Sequence, residues 1–186
     1  MALGIPEYLF ASIYEITPEF FLSRGISFVF SDIDNTLATY DDPVPTPELL
    51  EWFESMNKAG IEFIFVSNND NDRVSKFNSS LGFTYVCKAG KPLPGKIRKL
   101  MKAKRIEKLN TAMLGDQILT DSLAATFLGI LSVNVPPIKD RTEPFFRFKR
   151  KIEVAFMRSY WKKHPDQQEL KRLWYSKTGN KLKGSK

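Results

Sequence analysis

The chain has 186 residues, of which 42% are hydrophobic and 26% charged, and its formal net charge is +7. This size fits one globular domain with an appendage better than two full domains. Its single cysteine, Cys87, excludes an internal disulfide and a thiolate metal cluster, and its single histidine, His164, gives little support to histidine-based catalysis or a zinc-histidine site.

The N-terminal segment "MALGIPEYLFASIYEI" has no basic start and is interrupted by Pro6, Glu7 and Glu15, unlike a secretory signal. No later stretch approaches the roughly 20 apolar residues of a membrane span. We therefore expect a cytoplasmic protein, with the N-terminal segment forming helical structure against the core.

Five apolar runs rich in β-forming residues alternate with helix-like segments. The runs predict strands at 27–31, 62–67, 84–87, 111–114 and 130–135, and the segments between them predict helices at 46–60, 70–82, 94–106 and 118–129. Strands that alternate with helices imply parallel crossover connections. The sequence therefore predicts an α/β fold with a Rossmann-like, doubly wound, mostly parallel sheet.

In such sheets, ligands bind beyond the carboxyl ends of the strands. The polar residues that follow successive strands, or lie near their ends, are Asp32, Asp34, Ser67, Asn68, Asn69, Lys91, Gly115, Asp116 and Asp121. Paired acids at a strand end can simply solvate a turn. The ordered recurrence at several strand ends instead favours a single functional site.

The pair Asp32 and Asp34 would repel each other unless a cation lay between them. Together with Asp116 these acids offer oxygen ligands suited to Mg²⁺. One carboxylate beside the cation could attack phosphorus, and the other could move the proton. Ser67 and Lys91 would bind the phosphate oxygens.

Four motifs in this order, "DIDNT", "VSNN", "GKP" and "GDQILTD", resemble those of the haloacid dehalogenase (HAD) superfamily of aspartyl-phosphate phosphatases. The wider pattern over residues 5–155 is similar to the YqeG family of HAD subfamily IIIA. The resemblance implies Asp32 as the nucleophile and Asp34 as the general acid/base. It implies Ser67 and Lys91 as phosphate ligands and Asp116 as a metal ligand. Thr36 and Asp121 would be supporting residues.

The spacing between the motifs leaves no room for an inserted cap domain of about 50 residues, so we expect a capless, open site. The YqeG family resembles mitochondrial phosphatidylglycerophosphate phosphatases. That resemblance implies a phospholipid monoester, phosphatidylglycerophosphate, as substrate.

Charge is divided along the chain. Residues 139–186 carry fifteen Lys or Arg and five Asp or Glu, a net +10, whereas residues 1–138 carry −3. We therefore expect a phosphatase core at 1–138 and a basic amphipathic tail at 139–186. In the tail, an apolar stripe follows helical spacing and most basic residues point elsewhere: the stripe is Phe145, Phe148, Ile152, Ala155, Phe156 and Tyr160, and the basic set is Arg147, Lys149, Arg150, Lys151, Arg158, Lys162 and Lys163.

This helix could lie on an anionic membrane on the inner face of the cell, or its stripe could pack on the core. Two other functions stay open: a capless phosphatase for a soluble or protein-borne phosphate, and an RNA- or ribosome-binding protein with a vestigial site. The complete set of acids argues against nucleic-acid binding as the main function.

Overall fold

The computed structural model describes residues 3–139 and 143–180, apart from the side chains of residues 145 and 146. Its centre is a six-stranded sheet in which every pairing is parallel, with the order β1-β6-β5-β2-β3-β4. The strands are β1 (Tyr8–Leu9), β2 (Phe28–Ser31), β3 (Glu62–Val66), β4 (Thr84–Val86), β5 (Thr111–Gly115) and β6 (Leu131–Asn134). The predicted α/β fold with a parallel sheet is confirmed.

Helices cover both faces of this sheet. They are α1 (Pro18–Leu22), α2 (Pro47–Lys58), α3 (Asn71–Asn78), α4 (Gly95–Lys104) and α5 (Leu123–Leu128), followed by α6 (Pro144–Lys163) and α7 (Gln168–Lys177). Neighbouring strand residues such as Val29 and Phe30 point to opposite faces and belong to separate apolar clusters. The first cluster includes buried residues of α1, α2 and α3, and the second those of α4 and α5.

The α2 helix shows how local sequence sets these elements. Thr46 caps it, with its hydroxyl accepting a hydrogen bond from the Leu49 amide at 3.2 Å, and Pro47 occupies the first turn. Trp52 and Met56 then fall on the buried face together with Leu49. Between this helix and β2, residues 32–46 form the loop that carries the first two acids.

Two features differ from the sequence prediction at the N-terminal side and after β5. The edge strand β1 was not predicted, because two residues after Pro6 give no alternation to recognise. The helix predicted at 118–129 begins with a π-helical turn, Ile118–Ser122, before α5. That wide turn places Asp121 beside the end of β5.

The apolar stripe predicted for the C-terminal helix does not pack on the core as a unit. Phe148 is 62% exposed and Ile152 38% exposed, whereas Arg150 and Glu153 are buried. The inward face of α6 also carries Met157, Tyr160 and Trp161, which form a third apolar cluster with α7, Leu9 and Ile118. Phe145 of the predicted stripe, and residues 140–142 and 181–186 of the predicted tail, lie outside the description.

A search of the described residues for helices long and apolar enough to cross a membrane found none.

Candidate active site

The centre of the site is a buried ion-pair cluster at the carboxyl end of β2. The Lys91 Nζ atom donates hydrogen bonds to Asp32 Oδ1 and to Asp121 Oδ1, both at 2.7 Å. All three residues are buried. The structure therefore joins the first, third and fourth motifs, as expected from their positions at successive strand ends.

The close approach of Asp121 depends on Gly115, the last residue of β5. A Cβ atom built on Gly115 would lie 2.3 Å from Asp121 Cγ, which is closer than two non-bonded carbon atoms can approach. Asp121 Oδ2 also accepts a hydrogen bond from the Gln117 amide at 3.1 Å, which fixes its orientation. Gly115 thus supports the site by leaving space for a carboxylate.

Asp116 lies beside this cluster and is held by a residue from the C-terminal helix. Its Oδ2 atom accepts a hydrogen bond from Arg150 Nη2 at 2.5 Å, and its main-chain carbonyl accepts one from Nη1 at 3.2 Å. Its Oδ1 atom is buried and has no hydrogen-bond partner among the described residues. One oxygen of Asp116 is thus available to a ligand.

Three acids of the site lie close enough to share one cation. Asp32, Asp116 and Asp121 can each place one carboxylate oxygen within 4.8 Å of the others. An all-oxygen donor set with a buried, unpaired oxygen fits a hard divalent cation such as Mg²⁺. The residues present therefore fit the metal that the sequence predicts.

Burial and charge crowding perturb two of these acids strongly. Burial raises the pKa of Asp32 to about 7 although Lys91 opposes the shift, and Asp121 and Asp116 raise it further. Burial likewise raises the pKa of Asp116 to about 6 against the effect of Arg150. For Lys91, burial lowers the pKa, but Asp121 and Asp32 outweigh it, so the net pKa is raised and the ammonium stays charged.

Asp34 is predicted as both acid/base and metal ligand, and it lies at the mouth of the site instead of in the buried cluster. Its Oδ1 accepts hydrogen bonds from Arg73 Nε at 2.9 Å and its Oδ2 accepts one from Asn69 Nδ2 at 3.1 Å. Arg73 also donates to the Thr39 and Asp42 carbonyl oxygens. The guanidinium therefore joins Asp34 to the loop that follows it.

The residues predicted to bind phosphate make different kinds of contact in the structure. Ser67 is buried beside the pocket, and its hydroxyl accepts a hydrogen bond from the Asn69 amide at 3.0 Å. Asn68 brackets the main chain of Lys91, donating to its carbonyl at 3.0 Å and accepting from its amide at 2.7 Å. The Asn68 side chain thus positions the lysine.

The resemblance implies a supporting role for Thr36, but in the part of the chain that the structure describes its side chain makes no hydrogen bond to the loop. Its hydroxyl is buried and has no hydrogen-bond partner among the described residues, while its amide donates to the Ile33 carbonyl at 3.2 Å. The turn is instead closed by the Asn35 main chain, whose amide donates to the Ala38 carbonyl at 2.7 Å. Asn35 adopts a positive φ of 67°, which asparagine tolerates better than most residues.

These groups line an open pocket of about 570 Å³. Its lining includes Asp32, Asp34, Ser67 and Lys91, together with side chains that the sequence did not single out as site residues. These further lining residues are Asn35, Tyr40, Asp41, Gln117, Thr120, Lys139, Glu143 and Lys149. Lys139 pairs with Asp41 at 3.1 Å across the rim.

Sequence reasoning missed Arg73, Arg150 and Glu153. Arg73 lies in an ordinary polar helix turn, and nothing in a single sequence links it to Asp34. Arg150 belongs to the basic set predicted for the C-terminal segment, which the sequence did not connect with the site. The three-residue spacing between Arg150 and Glu153 could have indicated an ion pair, because an Arg and a Glu at that spacing lie on one side of a helix.

Comparisons with known proteins place the chain among phosphatases of this type. A family model described as "Hydrolase: haloacid dehalogenase-like hydrolase" matches residues 2–129. The "Probable phosphatase YqeG" of Bacillus subtilis is 35% identical over 149 residues, covering 80% of this chain and 87% of that protein.

One solved structure has the same fold. An uncharacterized protein from Listeria monocytogenes serotype 4b superimposes with a TM-score of 0.51 at 17% identity, covering 64% of this chain and 85% of that one. The cobalt-bound deoxy-D-mannose-octulosonate 8-phosphate phosphatase of Haemophilus influenzae has a TM-score of 0.48 at 16% identity, covering 66% and 73%.

Proposed function

Because this chain belongs to the haloacid dehalogenase-like hydrolases, we propose that it is a Mg²⁺-dependent phosphomonoester hydrolase that works through an aspartyl-phosphate at Asp32. The observation that carries the proposal is the buried cluster of Asp32, Lys91, Asp116 and Asp121 beneath an open pocket. Its chemistry follows from the positions of a few side chains.

In the first step, a carboxylate oxygen of Asp32 attacks phosphorus and the ester P–O bond breaks. The leaving alkoxide takes a proton from Asp34, which lies two residues away at the pocket mouth. In the second step, water attacks the phosphorus of the aspartyl-phosphate while Asp34 takes its proton. Phosphate leaves and Asp32 is regenerated.

Lys91 and Ser67 position the phosphoryl group. The lysine has its pKa raised and so keeps its positive charge next to the phosphate oxygens, where negative charge is concentrated. Asn68 makes hydrogen bonds to the main-chain carbonyl and amide of Lys91, which fix the position of that residue beside the pocket.

Asp32, Asp116 and Asp121 would hold the cation, and the carboxylate of Asp34 is the predicted further ligand. When bound, Mg²⁺ balances the charge of the acids and of the phosphate oxygens. The structure supports this with the unpaired Asp116 oxygen inside the site.

The substrate we propose is a lipid-borne phosphate, with phosphatidylglycerophosphate as the specific candidate. The described residues of the loop after Asp34 and of the segment after Ser67 form single helix-strand connections without an inserted domain, so the pocket opens directly at the surface. Exposed apolar side chains occur at or near that opening. Tyr40 lines the pocket and is 56% exposed, and the exposed Ile138 and Phe148 are adjacent in sequence to the pocket-lining Lys139 and Lys149. Such a rim suits a phosphate presented at a bilayer surface.

The exposed face of α6 is consistent with the same proposal. Phe148 and Ile152 lie on it together with the exposed cations Lys151 and Lys162. Anionic lipid attracts exposed lysines with about 1 kcal/mol each near the surface, and salt screens that attraction. We propose that this face brings the pocket to an anionic membrane.

A phosphate-release screen tests the activity and the substrate together. The wild type and Asp32→Asn are assayed with Mg²⁺ or with a chelator on lipid, sugar, nucleotide and peptide phosphomonoesters. We expect Mg²⁺-dependent release by the wild type only, fastest from phosphatidylglycerophosphate in vesicles. Faster release from a soluble or peptide substrate would refute the lipid proposal, and no release from any substrate would refute the phosphatase.

A further inference from the structure

The C-terminal helix α6 reaches the loop that carries Asp116. From α6, Arg150 contacts both the side chain and the main chain of Asp116. Lys149 Nζ, also on α6, donates a hydrogen bond to Gln117 Oε1 at 2.7 Å. The part of the chain that sequence analysis assigned to a tail thus contacts the predicted metal ligand directly.

Arg150 is itself fixed by a second acid on the same helix. Glu153 Oε2 accepts a hydrogen bond from Arg150 Nη1 at 2.8 Å, and Oε1 accepts one from the Leu119 amide at 3.2 Å. The exposed fractions are 6% for Arg150, 0% for Glu153 and 1% for Asp116. Burying three charges is costly, and a well-packed apolar group is often as stable, so stability alone does not explain the triad.

The geometry explains it differently. Arg150 uses one oxygen of Asp116 and leaves the other, Oδ1, buried without a partner among the described residues. Asp116 offers one carboxylate oxygen within 4.8 Å of oxygens from Asp32 and Asp121, and Oδ1 is the oxygen that Arg150 leaves without a partner. A planar guanidinium that contacts both the carboxylate and the carbonyl of one residue restricts rotation of that carboxylate.

We propose that Arg150, held by Glu153, is a positioning residue that fixes the Asp116 carboxylate so that Oδ1 faces the cation. The proposal rests on the proposed function, since it requires a divalent cation among these acids. Partners that orient a metal ligand in this way typically change metal affinity about 10- to 100-fold when removed. The C-terminal helix is therefore part of the metal site, in addition to any contact that its outer face makes.

Direct cation binding tests this without measuring turnover. Mn²⁺ binding to the full-length protein is followed by calorimetry and by the electron paramagnetic resonance signal of free Mn²⁺. The variants are Arg150→Met, Arg150→Lys and Glu153→Gln, and the matched control is Lys151→Gln, which removes an exposed charge from the adjacent position of the same helix. The melting temperature of each metal-free variant is measured in parallel.

We expect Arg150→Met to weaken Mn²⁺ binding about tenfold or more, with Arg150→Lys and Glu153→Gln between it and the wild type. Lysine retains the charge but cannot make the same fork of contacts, so a partial rescue indicates orientation rather than charge alone. The control Lys151→Gln should leave both the Mn²⁺ affinity and the melting temperature unchanged.

The outcomes separate this inference from the function on which it rests. Wild-type affinity in Arg150→Met with a lowered melting temperature would mean a purely structural role and would overturn the inference alone. Absence of Mn²⁺ binding by the wild type would overturn both proposals. If Arg150→Met does not fold, wild-type affinity in both Arg150→Lys and Glu153→Gln overturns the inference, and a weakened affinity in both supports it.

Discussion

The surroundings of Asp32 have opposing effects on the ionisation of its carboxyl group. Lys91 stabilises the carboxylate, whereas burial and the neighbouring acids favour its protonated form and raise its pKa to about 7. A nucleophile needs the ionised form, and a bound divalent cation would restore it by balancing the surrounding negative charge. The residue is therefore placed for chemistry at a cost to the stability of the metal-free protein.

Replacement of Asp32 by asparagine should abolish phosphate release and leave the fold intact. The amide keeps the size of the side chain but is not an anionic nucleophile. It also removes one of three crowded acids, so we expect a melting temperature no lower than that of the wild type. Phosphate release and thermal unfolding are measured on the same preparation, and substantial turnover by the variant would refute the role of Asp32.

The raised pKa values of Asp32 and Asp116 predict how stability changes with pH. The ordinary pKa of both carboxyls is 3.8, so between pH of about 4 and about 7 the folded, metal-free protein binds more protons than the unfolded chain. Its free energy of unfolding should therefore fall as pH rises through that window. Denaturant unfolding in a chelator at several pH values measures it.

Saturating Mg²⁺ is the control for this pH effect. A cation bound only by the folded protein stabilises the ionised carboxylates and should flatten or reverse the fall. A free energy of unfolding that rises from pH of about 5 to about 7 in chelator would show that burial does not control these acids as described.

Asp34 should be less essential than Asp32. Asp34→Asn is expected to slow phosphate release about a hundredfold, because the leaving alkoxide and the attacking water lose their proton carrier. The loss should be smaller for an aryl phosphate with a good leaving group, which needs little proton donation. An equal loss on alkyl and aryl substrates would mean that Asp34 acts by holding Arg73 and its loop.

At the level of elements, the helix α6 divides its charges between two faces. Arg150 faces Asp116 and Lys149 lines the pocket, whereas Lys151, Arg158 and Lys162 are exposed. A test of membrane attraction therefore has to leave the first two unchanged.

The triple variant Lys151→Gln, Arg158→Gln and Lys162→Gln should weaken binding to anionic vesicles and slow hydrolysis of phosphatidylglycerophosphate in a bilayer. Hydrolysis of a soluble aryl phosphate should change little, since these side chains lie outside the pocket. Vesicle sedimentation at low and high salt, with both activity assays, measures this.

A matched control removes three exposed lysines from other helices, at Lys76, Lys99 and Lys102. Net charge changes equally, so any general effect of charge appears in both variants. Equal vesicle binding by the two triple variants would contradict a docking face on α6.

The elements differ in how well sequence alone could predict them. The helix α2 was predictable because its cap, proline and apolar spacing agree, and β2 because its apolar run ends in the acids. The face of α6 was not, because its buried side includes Arg150 and Glu153, and helical periodicity assigns charged residues to solvent. Their burial depends on an ion pair with Asp116, which lies 34 residues away.

For the candidate site, the motif order located Asp32, Lys91, Asp116 and Asp121 at one end of the sheet. Asn68 and Arg150 supply the contacts that orient Lys91 and Asp116, and Arg73 supplies those that orient Asp34. All of these contacts depend on tertiary packing. A residue whose type is common and whose position matches no motif gives no signal in a single sequence.

At the scale of the molecule, the division of charge at residue 138 is a division in sequence and is not a division of the active site. The parallel sheet supplies the acids and Lys91, while α6 from the basic segment supplies Arg150 to Asp116 and Lys149 to the pocket. The division of the chain into a core at 1–138 and a tail at 139–186 stays a prediction. The contacts to Asp116 connect that segment with the catalytic proposal.

The central claim is a phosphoryl group carried covalently by Asp32. Brief reaction with substrate and Mg²⁺, followed by acid quench and borohydride, reduces an aspartyl-phosphate to homoserine, which peptide mass spectrometry locates. The account predicts homoserine at position 32 only after exposure of the wild type to substrate, and none in Asp32→Asn. Homoserine at another aspartate, or active wild type that gives none while an aspartyl-phosphate enzyme run in parallel does, would contradict it.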